Sequence, residues 1–368
     1  MNELDVKSYY YYDLHGKLSV KSSKPLFEEF PRVDPCETDL TINVMKEIEW
    51  NLENSEQLGQ GFYGAEGEKW VYFEKKLFGK KIKLLLKDLE GRTGFWVNEN
   101  FINIVKMPFP TKDVYTLWHY INAILSVKLL QKNSTLIHAG CLTYDNSGIL
   151  LPAYPNTGKT TTTLTLSSKE GAGGSSSPTF KCLSDDLCIV DLSGTAYSVH
   201  PTITTSYIAE RCNTGLSLRF GRLRKLLSPL LWNLSKIPFF PNFSYIDYVN
   251  IHQFLENKNK LALSAIIKYI FILEKGEEKV KRLNCEEASR KIYAINRREF
   301  YYSPSPLIWT YYYFNKSLNL PNLQDLENQI IMNMVHTAEC FVLRCPDSFR
   351  YPQIIEDMLS RQETMPNE

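Results

Sequence analysis

The sequence predicts an α/β chain, α+β overall, in which a β-rich N-terminal domain precedes a domain built around a phosphate-binding loop. Three observations carry this. Short apolar and aromatic runs separated by turn residues dominate the stretch up to Phe109. A Gly-Lys-Thr sequence follows an apolar strand and opens into a helix. Two adjacent aspartates then stand where a later apolar run begins or bends. The expected domains are 1–112, β-rich, and 113–359, carrying the loop and an inserted basic and aromatic segment near 208–255. A polar tail, 360–368, follows.

Composition bounds the function. Of 368 residues 43% are hydrophobic, enough for a sizeable core. The formal net charge of +1 gives no general pull toward nucleic acid. Eight cysteines (Cys36, Cys141, Cys182, Cys188, Cys212, Cys285, Cys340, Cys345) are scattered without a C-x-x-C pair, and read as reduced thiols of a cytoplasmic protein. The opening M-N-E-L-D-V-K-S lacks the apolar core of a signal peptide. Leu261–Leu273, the best apolar run, is interrupted by Lys268 and falls short of the roughly 20 residues that span a bilayer. No membrane span is expected. His252 and His336 lack partners at metal-ligand spacing, so no structural metal is expected.

In chain order, D-L-H-G-K (13–17) reads as a hairpin turn and Asp39–Val44 as a strand. Lys69–Phe73, Lys80–Leu86, Gly94–Val97 and Phe101–Lys106 continue the β-rich domain. Tyr9–Tyr12, Trp70, Tyr72 and Phe73 read as sheet-packing aromatics, because no basic stripe accompanies them as a base-stacking platform would require. Pro108-Phe109-Pro110 closes the region. Asp113 is placed to cap a helix whose Val114, Leu117, Trp118, Ile121, Ile124, Leu125 and Leu129, with the Lys128 stem, fit a 3.6-residue period. His119 lies off that stripe and is expected in solvent.

The chemistry concentrates next. Leu136–Tyr144 reads as a strand, Asn146-Ser147-Gly148 as a turn and Gly148–Pro152 as a second strand. The candidate phosphate loop is Ala153, Tyr154, Pro155, Asn156, Thr157, Gly158, Lys159, Thr160 and Thr161. A loop entering a helix N-terminus offers unpaired N–H donors and a positive dipole end. Lys159 would reach the outer phosphates and the Thr160 hydroxyl would face magnesium. Ala153 stands where such loops usually carry glycine, and Asn156 suits a left-handed position.

Beyond Gly171–Ser177, a Gly/Ser-rich connection, comes F-K-C-L-S-D-D-L-C-I-V-D-L. Asp185 and Asp186 can divide the labour, one holding a metal and the other a proton. They could instead cap a surface turn, but the apolar flanks Leu183, Leu187, Ile189 and Val190 favour a buried site. Ser217–Leu231 is basic and amphipathic, a solvated helix face or a lid over phosphates. Phe239–Phe254 reads as an insertion. A core strand (Leu263–Leu273), helices (Glu286–Ile295 and Leu326–Val335), a strand (Ala338–Arg344) and a last helix (Asp347–Leu359) complete the chain.

Taken together, H-A-G (138–140), P-N-T-G-K-T-T (155–161) and L-S-D-D (183–186) resemble the catalytic domain of the HPr serine kinase/phosphorylase family, and more closely its shorter HPr-kinase-related members. The resemblance implies a P-loop fold similar to phosphoenolpyruvate carboxykinase, with ATP and Mg²⁺ as cofactors. It assigns Lys159 to the phosphates and Thr160, Asp185 and Asp186 to magnesium. The two aspartates become the acid/base and metal carboxylates, and His138 a neighbour supporting the catalytic one. It further implies a protein or peptide acceptor serine and a homo-oligomer. The E-x-R-G-like signature of true HPr kinases is not apparent downstream, which argues against HPr as the acceptor. The expected function is an ATP- and Mg²⁺-dependent kinase. The alternatives are a nucleotide-binding regulatory protein without phosphotransfer, or a simple NTPase.

Overall fold

The computed structural model describes residues 9–27, 30–59, 61–77, 79–105, 117–169, 179–199, 203–205, 212, 248–250, 255, 259–299 and 305–363. They belong to two units, Met1–Thr135 with Phe300–Glu327, and Leu136–Glu299 with Asn328–Glu368. The protein is mixed α/β, α+β overall, with two large mixed sheets.

The first unit is built on strands β1 (Tyr10–Leu14), β2 (Leu18–Ser22), β3 (Leu40–Met45), β4 (Glu56–Leu58), β5 (Phe62–Gly64), β6 (Trp70–Leu77), β7 (Lys80–Lys87) and β8 (Thr93–Asn98). The sheet order is β1-β2-β3-β8-β7-β6-β5-β4, with β3 parallel to both β2 and β8 and the other pairs antiparallel. His15 and Gly16, both left-handed, make the β1–β2 turn, and Asp13 accepts the Gly16 N–H at 2.9 Å. Alternation is visible where one face is buried, as at Leu18, Val20 and Ser22 of β2. In β7 the whole run Ile82–Leu86 is buried.

Of Phe101–Lys106, expected as a strand, Phe101–Val105 is instead helical and Lys106 lies outside the described residues. Helix α1 spans Glu99–Val105. The Asn98 carboxamide oxygen accepts the N–H of Phe101 while also accepting that of Lys83 from β7. One side chain thus ends β8 and caps the helix. Helix α2 (Leu117–Gln131) is buried around most of its circumference rather than along one stripe, and Trp118, counted in the stripe, is exposed. His119 is half-buried, and burial pushes its pKa down to about 4, so it is not the solvated side chain expected. Asp113 and Val114 lie outside the described residues.

The chain returns to this unit through α5 (Pro306–Phe314, numbered in chain order), a helix that the apolar pattern did not predict. Tyr311 anchors it, donating to Glu90 at 2.5 Å and accepting the Leu89 N–H at 3.1 Å. Phe314 packs directly on Gly64, where an added Cβ would lie 2.2 Å from its ring.

The second unit carries β9 (Ser134–Tyr144), β10 (Ser147–Pro152), α3 (Lys159–Ser168), β11 (Phe180–Ser184), β12 (Leu187–Asp191) and β13 (Thr195–Ser198). A short pair, β14 (Ile203–Thr205) and β15 (Tyr248–Asn250), forms its own ladder. Then come β16 (Ser264–Lys275), β17 (Lys279–Arg282), α4 (Cys285–Glu299), α6 (Leu320–His336, of which the part up to Glu327 belongs to the first unit), β18 (Glu339–Cys345), a 3-10 turn (Ser348–Arg350) and α7 (Tyr351–Glu363). The sheet order is β10-β9-β12-β13-β16-β18-β17, with β11 also on β9 and β10 also on β16. Strands β10 and β18 run parallel to β16, on a core that includes Leu142, Leu151, Leu164 and Phe271.

The β9–β10 turn uses left-handed Asp145 and Asn146, one residue earlier than the expected Asn146–Gly148. Helix α7 extends to Glu363, into the stretch expected as a polar tail. Gly171–Ser177, Ser217–Leu231 and most of 208–255 fall outside the described residues. None of the eight cysteines is in a disulfide. Among the described residues no helix is long and apolar enough to cross a membrane.

Gly64→Ala is expected to destabilise the protein by about 1–3 kcal/mol, the usual range for overpacking. Urea unfolding of Gly64→Ala, Phe314→Leu and the double variant tests this. A double-variant loss well below the sum supports the contact; strict additivity would remove it.

Candidate active site

Strand β9 is buried at every position, and His138 projects from it. Two residues on, Gly140 allows close approach from two elements. A Cβ there would lie 2.6 Å from Thr163 Oγ1 on α3 and 3.5 Å from the backbone oxygen of Asp185. The absence of a side chain at Gly140 therefore lets the loop helix and the paired aspartates converge on one strand.

The loop between β10 and α3 has the expected order. Ala153 is buried, bridges Leu273 in parallel register and has no left-handed backbone, so its methyl fills core and glycine is not required. Asn156 is left-handed at φ 60°, as its residue type suggested. Gly158 has φ 124°, and a Cβ there would lie 2.5 Å from Ser348 Cβ. Tyr154, Pro155 and Asn156 are exposed, whereas Thr157 and Thr161 are buried and Thr160 half-buried. Arg298 of α4 stacks over the Tyr154 ring at 4.9 Å. Gly158, as N-cap of α3, makes no side-chain cap hydrogen bond. The positive end of the helix therefore receives no side-chain cap from its own N-cap residue.

Three predicted side chains meet at this helix start. The buried Lys159 ammonium lies 3.2 Å from Asp186 Oδ1 and donates to His138 Nε2. Donation to Nε2 places the imidazole hydrogen on Nδ1, which faces Asp186 Oδ1 at 3.7 Å. Burial first, and then the Lys159 charge, hold the His138 pKa down at about 4, so the ring is neutral near pH 7.

Asp185 and Asp186 form the bend between β11 and β12, which Ser184 Oγ closes by donating to the Leu187 carbonyl. The two acids differ sharply. The Asp186 side chain is 54% exposed and pairs with Lys159, whereas Asp185 is buried. Burial first, and then the Asp186 charge, push the Asp185 pKa up to about 8.

Sequence reasoning missed Asn296. Fully buried on α4, its Nδ2 donates to the Leu136 carbonyl at 3.1 Å and its Oδ1 accepts the His138 N–H at 3.0 Å. It acts as a fragment of neighbouring strand and fixes the backbone from which His138 projects. The available signal was an amide on the buried i, i+4 row Ala288, Ile292, Asn296. Arg298 and Ser348 were missed as well, since each reaches the loop from a distant part of the chain.

Among the described residues no group of three or more His, Cys, Asp or Glu side chains is arranged to hold a metal. Magnesium asks less of a protein, commonly one or two oxygen ligands with phosphate and water completing the shell. The Thr160 hydroxyl and the exposed Asp186 carboxylate are donors of that kind; Asp185, while protonated, is a poor one. Compared with known proteins, the chain matches no family model and no curated sequence.

Asn296→Ala removes a side-chain hydrogen bond from each of two buried backbone groups of β9 and is expected to cost about 1–3 kcal/mol, read by urea unfolding. Asp185 predicts a pH signature. Because its folded pKa lies above its ordinary value, its contribution to stability is full below about pH 4 and falls as pH rises toward 8. Asp185→Asn should gain Tm relative to wild type at pH 8 but not at pH 4. Parallel Tm profiles from pH 4 to 8 would refute the shift.

Proposed function

We propose that the protein is an ATP- and Mg²⁺-dependent kinase that moves a γ-phosphoryl group to a hydroxyl, a serine of a protein or peptide. The observation that supports this best is the convergence of Lys159, His138 and Asp186 at an N-terminus of α3 that lacks a side-chain cap, with a neutralised Asp185 beside them. The H-A-G, P-N-T-G-K-T-T and L-S-D-D succession points the same way.

Nucleotide and magnesium, when bound, supply the transferable group and the charge that stabilises its transfer. Lys159 and the first N–H groups of α3 would bind the phosphates, and Thr160 and Asp186 would hold the metal. His138, neutral and fixed through Asn296, orients the Lys159 ammonium with a lone pair rather than competing with it as a second cation. Asp185, in the ionised fraction that grows as pH rises toward 8, would take the acceptor's proton. The hydroxyl oxygen forms its bond to phosphorus as the bond to the nucleoside diphosphate breaks, and the released proton passes to an Asp185 carboxylate oxygen. A carboxylate whose pKa sits near neutrality is the better proton acceptor of the two, while the solvated, Lys-paired one suits the metal.

Calorimetry with ATP, with and without Mg²⁺, tests the binding half. Magnesium-dependent binding is expected in wild type, weakened at least tenfold in Lys159→Ala. Asp185→Asn is expected to retain binding while transfer of labelled γ-phosphate to serine peptides drops about 10²–10⁴-fold. Absent ATP binding by the folded protein would sink the reading; turnover unaffected by any acceptor would replace it with a simple NTPase.

A further inference from the structure

The first unit contains a cavity of about 810 Å³ that the phosphate loop does not use. Its volume lies within the usual range for binding pockets. The Phe62 and Phe73 rings, 4.5 Å apart between centroids, form part of its wall, and Trp309 and Tyr313 of α5 form another. These last two are one helical turn apart and stay 42% and 61% exposed, although α5 is otherwise mostly buried. Large aromatic side chains left in water at the mouth of a cavity are the composition of binding hot spots.

Two further observations say what the cavity fits. Its charged lining residues are Lys75 and Lys316, with no carboxylate among the described lining residues. Glu66 meets Lys316 at 3.2 Å, but both side chains are mostly solvent-exposed, so the pair is weak. Leu58 and Gly59, also in the lining, stand at the end of β4, which closes the sheet order with β5 as its one strand neighbour among the described strands. A terminal strand offers a row of backbone donors and acceptors to an extended chain. An apolar cavity, two cations and a terminal strand on one unit match an extended peptide better than a compact small molecule, which has no use for the strand.

We infer that the first unit is a docking site for an acidic peptide segment, which adds along β4 and seats an aromatic or large aliphatic side chain between Trp309, Tyr313 and the Phe62–Phe73 wall while its carboxylates meet Lys75 and Lys316. If the kinase reading holds, such a peptide belongs to the acceptor; the docking itself does not depend on that reading.

The test selects binders from a library of random nonapeptides on the full-length protein without nucleotide. The affinities of recovered peptides are then measured by fluorescence anisotropy against wild type, Trp309→Ala/Tyr313→Ala and Lys75→Gln. The altered aromatic side chains are exposed, and Lys75→Gln gives an independent check should the double variant fail to fold. Recovered sequences are expected to place an aromatic or large aliphatic residue among acids. Binding should fall at least tenfold in the aromatic double variant and severalfold in Lys75→Gln, and should weaken with salt. Recovered peptides without that pattern, or binding equal in all three proteins, would overturn the inference. So would 3-phenylpropionate binding as tightly as the best peptide, because the cavity would then be a small-molecule site. Repeating the measurement with Lys159→Ala separates this result from the fate of the kinase reading, since docking should be unchanged.

Discussion

A buried cation governs the site. Taking the Lys159 ammonium out of water costs several kcal/mol unless partners replace the lost hydration. Asp186 supplies the counter-charge at 3.2 Å and His138 a lone pair. The same cation and the same burial keep His138 neutral, because a second positive charge there would be unsupported. Asp186, half in solvent, keeps its own hydration while serving Lys159. Asp185 lies in the interior beside that negative charge, and its proton is retained toward pH 8. One buried ammonium and one half-solvated carboxylate thus order the protonation of the groups around them.

That arrangement requires α3 and the aspartate bend to approach one strand closely, and Ser348 to approach the loop, and the chain provides for it by leaving atoms out. At Gly140 the missing Cβ admits both α3 and the aspartate bend; at Gly158 it admits Ser348. The remaining requirement is rigidity. His138 projects from a strand buried along its length, and Asn296 pairs the backbone groups at Leu136 and His138. A site held by packed strands and a satisfied buried amide keeps its geometry better than one carried by loops alone.

Much of this was legible where the cause is local. The β1–β2 hairpin, the strand–loop–helix order around Lys159 and the left-handed Asn156 follow from residue type and near neighbours. The helix over Glu99–Val105 was not legible, because F-I-N-I-V suits a strand and the deciding cap bond comes from Asn98, itself tied to β7. Helix α5 was hidden by its own burial: P-L-I-W-T-Y-Y-Y-F has no polar face from which a period could be read. The division of the chain left no local trace either. A boundary at 112/113 follows the Pro108–Pro110 punctuation, whereas the first unit runs to Thr135 and takes back 300–327, a return fixed by contacts such as Tyr311 with Leu89 and Glu90. Asn296 and Arg298 belong to the same class, polar residues whose partners lie well over a hundred positions away.

Helix α3 ties stability to function. Its sequence K-T-T-T-T-L-T-L-S-S is poor helix material, since threonine loses rotamer freedom in a helix and its hydroxyl competes for backbone groups. Two hydroxyls fold back onto the helix, Thr162 on Gly158 and Ser167 on Thr163, both at 2.8 Å. Among the described residues the buried hydroxyls of Thr163, Thr165 and Ser168 have no hydrogen-bond partner. With no side-chain cap either, α3 draws little stability from itself and depends on packing against the sheet. On the kinase reading proposed above, a phosphate at its N-terminus would add to that stability, because the positive dipole end lies beside Lys159. A helix tuned for its own stability would carry a Ser or Asp cap and alanines, and the cap would occupy the donors that a phosphate needs. On the proposed reading, the weakness of α3 and the lack of a side-chain cap at its first turn have one cause, a helix start kept for phosphate.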